Sequence, residues 1–457
     1  MEFRWKSLVS ENRRTAALAL PIISGHVGQM LMGWVDTVMV GWLGVVPLAA
    51  CGFANTLISV PLVFGFGLLS AVSIHASHAH GAGEPERSAA SVRGGFGALA
   101  LLALVVAGFV GFVLPRLGIF GQPPEVASAA REFLEVCSWS LVPAFATTVA
   151  KNFCEAHGRP WPPFWIILCG VVLNAALNWA LIFGHWGAPT MGLVGAAWAT
   201  LVARTAVMVA VIAYASASRR LRGAWPAKWL VPGILRATGA ILSVGLPTGG
   251  MVVFEVGGFA AGSIMMGWLG ASALAAHQIA MTCAGTAFMV PLGLSQAVAV
   301  RVGHARGAER FARIRPIVYG AHILTILFMG TTFAAFVFAG KSIAGWFVSD
   351  PEVVRLAAQL LFVAGVFQIM DGVQVVAAGT LRGFADTRGP MWIGIFSYWV
   401  VALPVSWTAA FALGGGAVGI WAGYVVGLSV AAATLFARVY RRVSRLPVGG
   451  HPALVGT

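Results

Sequence analysis

Apolar residues run in stretches of about 20 along almost the whole chain, separated by short clusters of glycine, proline and charge. At 1.5 Å per residue, a helix of about 20 such residues crosses a hydrocarbon core about 30 Å thick. Twelve stretches qualify, roughly at residues 15–40, 48–74, 92–114, 127–150, 162–183, 192–215, 238–266, 273–300, 316–339, 352–379, 390–412 and 416–437. The pattern predicts an all-α integral membrane protein with twelve transmembrane helices, because a helix satisfies its own backbone polar groups in oil.

The loops decide how these helices are threaded. Gly41 to Pro47, Gly184 to Met191 and Leu413 to Gly416 carry no Lys or Arg. The alternate loops are basic: Arg87 and Arg93; Lys151 and Arg159; Arg219, Arg220, Arg222 and Lys228; the run from Arg301 to Arg315; Arg382 and Arg388. Basic residues also crowd both ends, so the positive-inside bias places both termini in the cytoplasm and the chain in a bacterial inner membrane. The same location explains a net charge of +14 without nucleic acid as a partner. Of the 457 residues, 59% are hydrophobic and 10% charged, with a mean hydropathy of +0.86, which excludes a soluble protein of this size. Met1–Arg14 reads as an amphipathic cytoplasmic segment rather than a signal peptide.

The chain also repeats itself. Pro247 to Ala308 lies without a gap on Pro21 to Ala82, 226 positions earlier. Gly267-Trp268-Leu269-Gly270 falls on Gly41-Trp42-Leu43-Gly44, and Leu274-Ala275-Ala276 on Leu48-Ala49-Ala50. Roughly a third of the aligned positions are identical, which marks a duplication. Gly192-Leu193-Val194-Gly195 against Gly416-Ala417-Val418-Gly419 extends the echo to the end of each copy. Six crossings separate the copies, so they share one orientation, a parallel repeat of two pseudo-symmetric six-helix bundles. The expected layout is an N-lobe over 15–215, a basic cytoplasmic linker over 216–236, a C-lobe over 237–437 and a tail over 438–457.

Charged side chains inside the predicted spans are few: Asp36, Glu255, Asp371 and Arg204. Each charge at the bilayer centre is unfavourable by about 2.5–3.5 kcal/mol, so acids there point to proton or cation exchange. Protonated structural acids are the bland alternative. Asp371 has Gln368 and Gln374 three residues to either side and Phe367 four before. Glu255 is followed by Gly257, Gly258 and Gly262, which leave room beside it, and His277 and Gln278 join it as second-bundle candidates. In the first bundle Asp36 is accompanied by Gln29, while Asn174 and Asn178 share a helical face. Carboxylate and amide oxygens suit a hard cation such as Na⁺, with Glu255 and Asp371 as its ligands, or serve as partners of a protonated carboxyl. Arg204 is either a counter-ion for Asp36 or a side chain that snorkels to the interface. His75, His78 and His80 sit at a helix end, where solvated histidines are unremarkable, and the five cysteines show no ligand spacing. Asp350-Pro351-Glu352 reads as an N-cap, a first-turn proline and a dipole-favourable acid.

Asp36 before Gly41-Trp42-Leu43-Gly44, Glu255 before Gly267-Trp268-Leu269-Gly270, Ala275-Ala276-His277-Gln278, Asp371 and the run Leu381 to Pro390 together give the chain its resemblance to a family. Over nearly its full length it resembles the multidrug and toxic compound extrusion (MATE) family, in its NorM-like bacterial branch. The resemblance implies a two-lobed monomeric exporter that moves amphipathic, often cationic drugs and dyes across the lipid bilayer. It implies exchange for H⁺ or Na⁺ without any other cofactor. It also implies that Glu255 and Asp371 are the cation-site acids of the second lobe, and that Asp36, Asn174 and Asn178 form the polar cluster of the first. Some Na⁺-coupled relatives carry Tyr where this chain has Phe367, whose ring offers only its π face. The rival transport function is a lipid-linked-sugar flippase, which calls for basic cavity residues rather than acids. An enzyme is disfavoured, since neither a zinc HExxH pair nor a nucleophile–base pair occurs.

Overall fold

The computed structural model describes residues 5–229 and 231–447, with side chains from Leu8 onward. Among these residues, twelve helical spans are long and apolar enough to cross a membrane. They are α1 (Trp5–Gly41), α2 (Val45–Ala82), α3 (Pro85–Phe120), α4 (Pro124–Ala156), α5 (Trp161–Phe183), α6 (Gly192–Ala217), α7 (Ile234–Trp268), α8 (Ala271–Gly307), α9 (Phe311–Gly345), α10 (Pro351–Gly383), α11 (Arg388–Ala412) and α12 (Gly416–Ser444). All twelve predicted spans are present, but most helices overrun them. The 38 residues of α2 extend roughly 57 Å, well past a 30 Å core. Hydropathy registers only the part of a helix that must be apolar.

Local chemistry explains the ends. Gly44 (φ 114°) and Gly270 (φ 108°) close the α1–α2 and α7–α8 turns in a conformation that glycine alone enters freely, so Gly-Trp-Leu-Gly recurs 226 residues apart. At α10 the Asp350 carboxylate accepts from the backbone of Glu352 (2.8 Å) and Val353 (3.2 Å), with Pro351 in the first turn, the cap its sequence spells.

The chain divides into two compact units, and the division differs from the boundaries expected at 215 and 237. One unit joins residues up to Ile23 to those from Gly250 onward; the other runs from Ser24 to Gly249. Both cuts therefore fall inside helices, in α1 and α7, and they too lie 226 residues apart. In the first unit Arg301 of α8 reaches the start of α1, donating to Glu11 O and Thr15 Oγ1 and pairing with the Glu11 carboxylate, which also binds Arg313 at 2.8 Å. Met1–Arg14 is thus no separate surface segment from Trp5 on, and Met1 to Arg4 lie outside the described residues. In the second unit the start of α7 packs on α2 and α3. A Cβ on Gly245 would meet Leu68 O at 2.3 Å, and one on Gly94 would meet Ala237 O at 2.5 Å.

The expected linker is not loose either. Trp225 is buried with its ring 5.2 Å from Phe153, Trp229 lies 5.2 Å from Phe96, and Arg93 Nε donates to Lys228 O at 2.8 Å. These contacts fasten Trp225 to Trp229 onto the Ser24–Gly249 unit. Of the expected tail, Arg438 to Ser444 are the last turns of α12, and residues beyond 447 lie outside the described set.

The Gly250-onward unit has two apolar layers. One holds Ala19 and Ile22 of α1 against Val298, Ile317, Val376 and Leu435. The other is built on Met266, Phe367, Tyr398, Trp421 and Tyr424. Glu255 sits beside this aromatic layer.

Candidate functional site

In the Ser24–Gly249 unit the polar cluster centres on Asp36 of α1. Asn178 Nδ2 of α5 donates to Asp36 Oδ1 at 2.5 Å and stands 3.4 Å from Asn174 Oδ1. Thr200 Oγ1 of α6 bonds to Ala196 O at 3.0 Å, lies 3.5 Å from Asp36 Oδ2, and accepts from Asn174 Nδ2 at 3.4 Å. Asn174 and Asn178 are fully buried and Asp36 partly so. Their four-residue spacing on one helix brings both amides to the carboxylate. Buried Asn178 Oδ1 has no partner. An amide offers a donor on one side and an acceptor on the other. Asn178 can therefore meet an ionised Asp36 with its NH₂ and a protonated one with its oxygen.

Two first-bundle candidates stand apart from this cluster. Gln29 is exposed and makes no hydrogen bond. Arg204, one turn beyond Thr200 on α6, makes no ion pair with Asp36; its guanidinium donates to Ser140 Oγ at 2.9 Å.

In the other unit Glu255 of α7 accepts from Tyr398 Oη of α11 at 2.8 Å. Asp371 of α10 is 5% exposed and its Oδ1 has no hydrogen-bond partner. One turn on, Gln374 is fully buried with both its amide oxygen and nitrogen unpartnered. Glu255 and Asp371 lie close enough to repel each other electrostatically, and Arg382 of α10 supplies an opposing positive field at Glu255. Native interiors leave few polar atoms unpaired. Here three occur within one turn beside a second carboxylate, a donor set of oxygens that a proton or a hard cation would satisfy.

The other second-bundle candidates are tied down or face outward. Gln368 Oε1 accepts from Thr332 at 2.9 Å and its Nε2 donates to Ala284 O at 3.3 Å. Phe367 is packed among Phe259, Trp421 and Tyr424 at centroid distances of 5.4–6.4 Å. His277 Nδ1 accepts from Trp421 Nε1 at 3.1 Å, which leaves Nε2 to donate to Ser263 Oγ at 2.9 Å. Both ring nitrogens are thereby used in packing α8 against α7 and α12. Gln278 is exposed.

The glycines after Glu255 do not leave open space, as expected from sequence, because aromatic rings fill it. A Cβ on Gly257 would stand 3.2 Å from Trp399, one on Gly258 3.4 Å from Tyr398, and one on Gly262 1.5 Å from Tyr424 Oη. Arg301 and Arg382, assigned by sequence to loops, lie within α8 and α10, where Arg382 donates to Ser295 Oγ at 2.7 Å.

Sequence reasoning missed Tyr398, Thr200, Ser140 and the field of Arg382. The chain has only five tyrosines, and one inside an apolar span needs a partner for its hydroxyl, a signal that marks Tyr398. Threonines and serines in membrane helices bond mostly to their own backbone, so nothing distinguished Thr200 or Ser140 beforehand. No group of three or more His, Cys, Asp or Glu side chains among the described residues could hold a metal ion, so the His75–His80 run forms no such cluster.

The same duplication appears in comparison with known families. The MatE family model matches residues 21–180 and again residues 247–408, two copies beginning 226 residues apart. The chain belongs to the MATE family. Proteins named "Probable multidrug resistance protein NorM" are similar over nearly the full length. That of Bradyrhizobium diazoefficiens is 34% identical over 97% of this chain and 96% of its own. That of Pseudomonas putida is 36% identical over 96% of each. Among solved structures, the eukaryotic MATE transporter AtDTX14 superposes with a TM-score of 0.85 at 21% identity, covering 96% of this chain and 100% of that one. The Vibrio cholerae MATE transporter VcmN in its bent form gives 0.85 at 21% identity over 96% and 98%. This MATE protein thus has the family's fold throughout, and the acids singled out by sequence stand on helices of both repeats.

Proposed function

We propose that this MATE protein is a multidrug efflux antiporter of the bacterial inner membrane. It would work as a monomer with both termini cytoplasmic, exporting amphipathic, often cationic drugs in exchange for H⁺ or Na⁺. The observation that carries this reading is the pair of carboxylates in the Gly250-onward unit, Glu255 and Asp371, with unsatisfied polar atoms beside them. A buried acid of this kind is unstable alone and becomes stable with an ion. The kinship to NorM proteins supplies the class of cargo.

The physics of exchange follows. Expelling one monovalent cation against an inside-negative potential requires about 2.3 kcal/mol per 100 mV. Entry of one H⁺ or Na⁺ cancels that electrical term and leaves the ion gradient as the drive. An ionised carboxylate attracts a cationic drug; once it holds a proton or Na⁺ the attraction is gone. Ion and drug therefore compete, and the competition couples their movement through alternating access. Asp36 with Asn174, Asn178 and Thr200 offers a second exchangeable acid in the other repeat. No further cofactor is needed.

The test is purified protein in liposomes with a fluorescent cationic dye, driven separately by a pH gradient and by a Na⁺ gradient. One gradient should move dye, and Glu255→Gln and Asp371→Asn should each reduce the rate at least tenfold. Movement by neither gradient, or wild-type rates in both variants, would refute the antiporter.

A further inference from the structure

Resting on the antiporter reading above, we infer that Tyr398 is a positioning residue for the coupling carboxylate: its phenol holds Glu255 in the orientation that receives the ion. Phe367 brings no hydroxyl to this lobe, and Tyr398 brings one from a different helix. Its ring is 2% exposed, and its oxygen donates to Glu255 Oε1 at 2.8 Å. A phenol donating to an ionised carboxylate makes one of the stronger hydrogen bonds available to a neutral donor.

The backbone of α11 is arranged around this contact. Phe396–Ala402 form a π-helical turn within the span, and such wide turns change which residues of a helix share a face. The turn directs two consecutive side chains to the same place on α7. Tyr398 meets the Glu255 carboxylate, and Trp399 Nε1 donates to Phe254 O at 3.0 Å. Gly257 and Gly258 make the approach possible, since a Cβ on either would stand 3.2–3.4 Å from these two rings. Around Glu255, then, Tyr398 faces it from α11, while α10 contributes the negative field of Asp371 and the positive field of Arg382. The phenol is its one hydrogen-bond donor among the described residues. Without it the carboxylate has no anchor against repulsion from Asp371.

The experiment is dye efflux from proteoliposomes as a function of coupling-ion concentration, for Y398F, W399F and E255Q beside wild type. Phenylalanine keeps the ring and removes only the hydroxyl. Losing a hydrogen bond to a charged group should shift the half-saturating ion concentration of Y398F by about tenfold. The dye Kd measured without ion should stay within twofold. W399F removes the neighbouring α11–α7 bond without touching the carboxylate and should keep wild-type half-saturation. As a second measurement on the intact protein, an ion-induced infrared difference spectrum should contain a tyrosine phenol band that both Y398F and E255Q lack. Half-saturation within twofold of wild type in Y398F, an equal shift in W399F, or no phenol band would overturn the role of Tyr398. If E255Q instead transports like wild type, the coupling reading itself falls and Tyr398 with it.

Discussion

A single histidine shows how far contact geometry goes beyond residue type. His157, just past the end of α4, points Nδ1 at Phe153 O (2.8 Å) and Nε2 at Ser88 Oγ (3.3 Å), with the His80 ring 4.7 Å away. The carbonyl can only accept, so Nδ1 carries the proton and the ring is neutral. Burial, reinforced by His80, pushes its pKa down to about 4 from an ordinary 6.5. Between those values the unfolded chain takes up a proton that the folded one refuses, so stability falls as pH drops from about 6.5 to about 4. The loss approaches about 3 kcal/mol. Thermal melts of purified protein across that range should show this slope flattened in His157→Gln; an unchanged slope would refute the assignment. Asp36, Glu255 and Asp371 were legible in sequence because a charge in an oily run is conspicuous. Tyr398 and Thr200 were not, because a hydroxyl becomes informative only when its partner from another helix is known.

At the scale of elements, helix contacts are set by where side chains are missing. Gly262 of α7 is the clearest case: Tyr424 of α12 occupies the place of its absent side chain, then donates to Phe259 O at 3.3 Å. Gly262→Ala should destabilise the α7–α12 contact by about 1–3 kcal/mol through overpacking, lowering the melting temperature in detergent. Tyr424→Phe in the same protein should restore only part of the loss, because the ring carbon beneath the hydroxyl would still stand 2.5 Å from the new methyl. Sequence identified these glycines as making room and left open for whom. Helix number came from hydropathy, while helix ends past the apolar core came from turn chemistry such as Asp350 and Gly270.

For the whole molecule, the unexpected feature is that each compact unit takes the start of a helix from the other repeat. Glu11 anchors one exchange. Its carboxylate pairs with Arg301 and Arg313, and Arg301 is itself buried. Glu11→Gln leaves that guanidinium without its counter-charge, which should destabilise the fold by about 3 kcal/mol. Combining it with Arg301→Met, which removes the stranded charge, should recover much of that. Melting curves of the three proteins decide it, and additive losses would mean the pair is not coupled. The 226-residue spacing of the two unit boundaries shows that the exchange was duplicated along with the rest of the bundle.

The sequence alone determined that this is a twelve-helix membrane protein, that it is a duplication, and which acids lie within its spans. All three follow from one-dimensional signals: hydropathy against membrane thickness, self-similarity, and charge in an apolar context. Tertiary structure alone decided that α1 and α7 are divided between units, that Tyr398 rather than a residue at 367 brings a hydroxyl to Glu255, and that His277 is occupied in packing. Those outcomes depend on which surfaces meet across hundreds of residues of chain. Such meetings are chosen by shape and hydrogen-bond complementarity in three dimensions, and the spacing of residues along one strand of sequence does not record them.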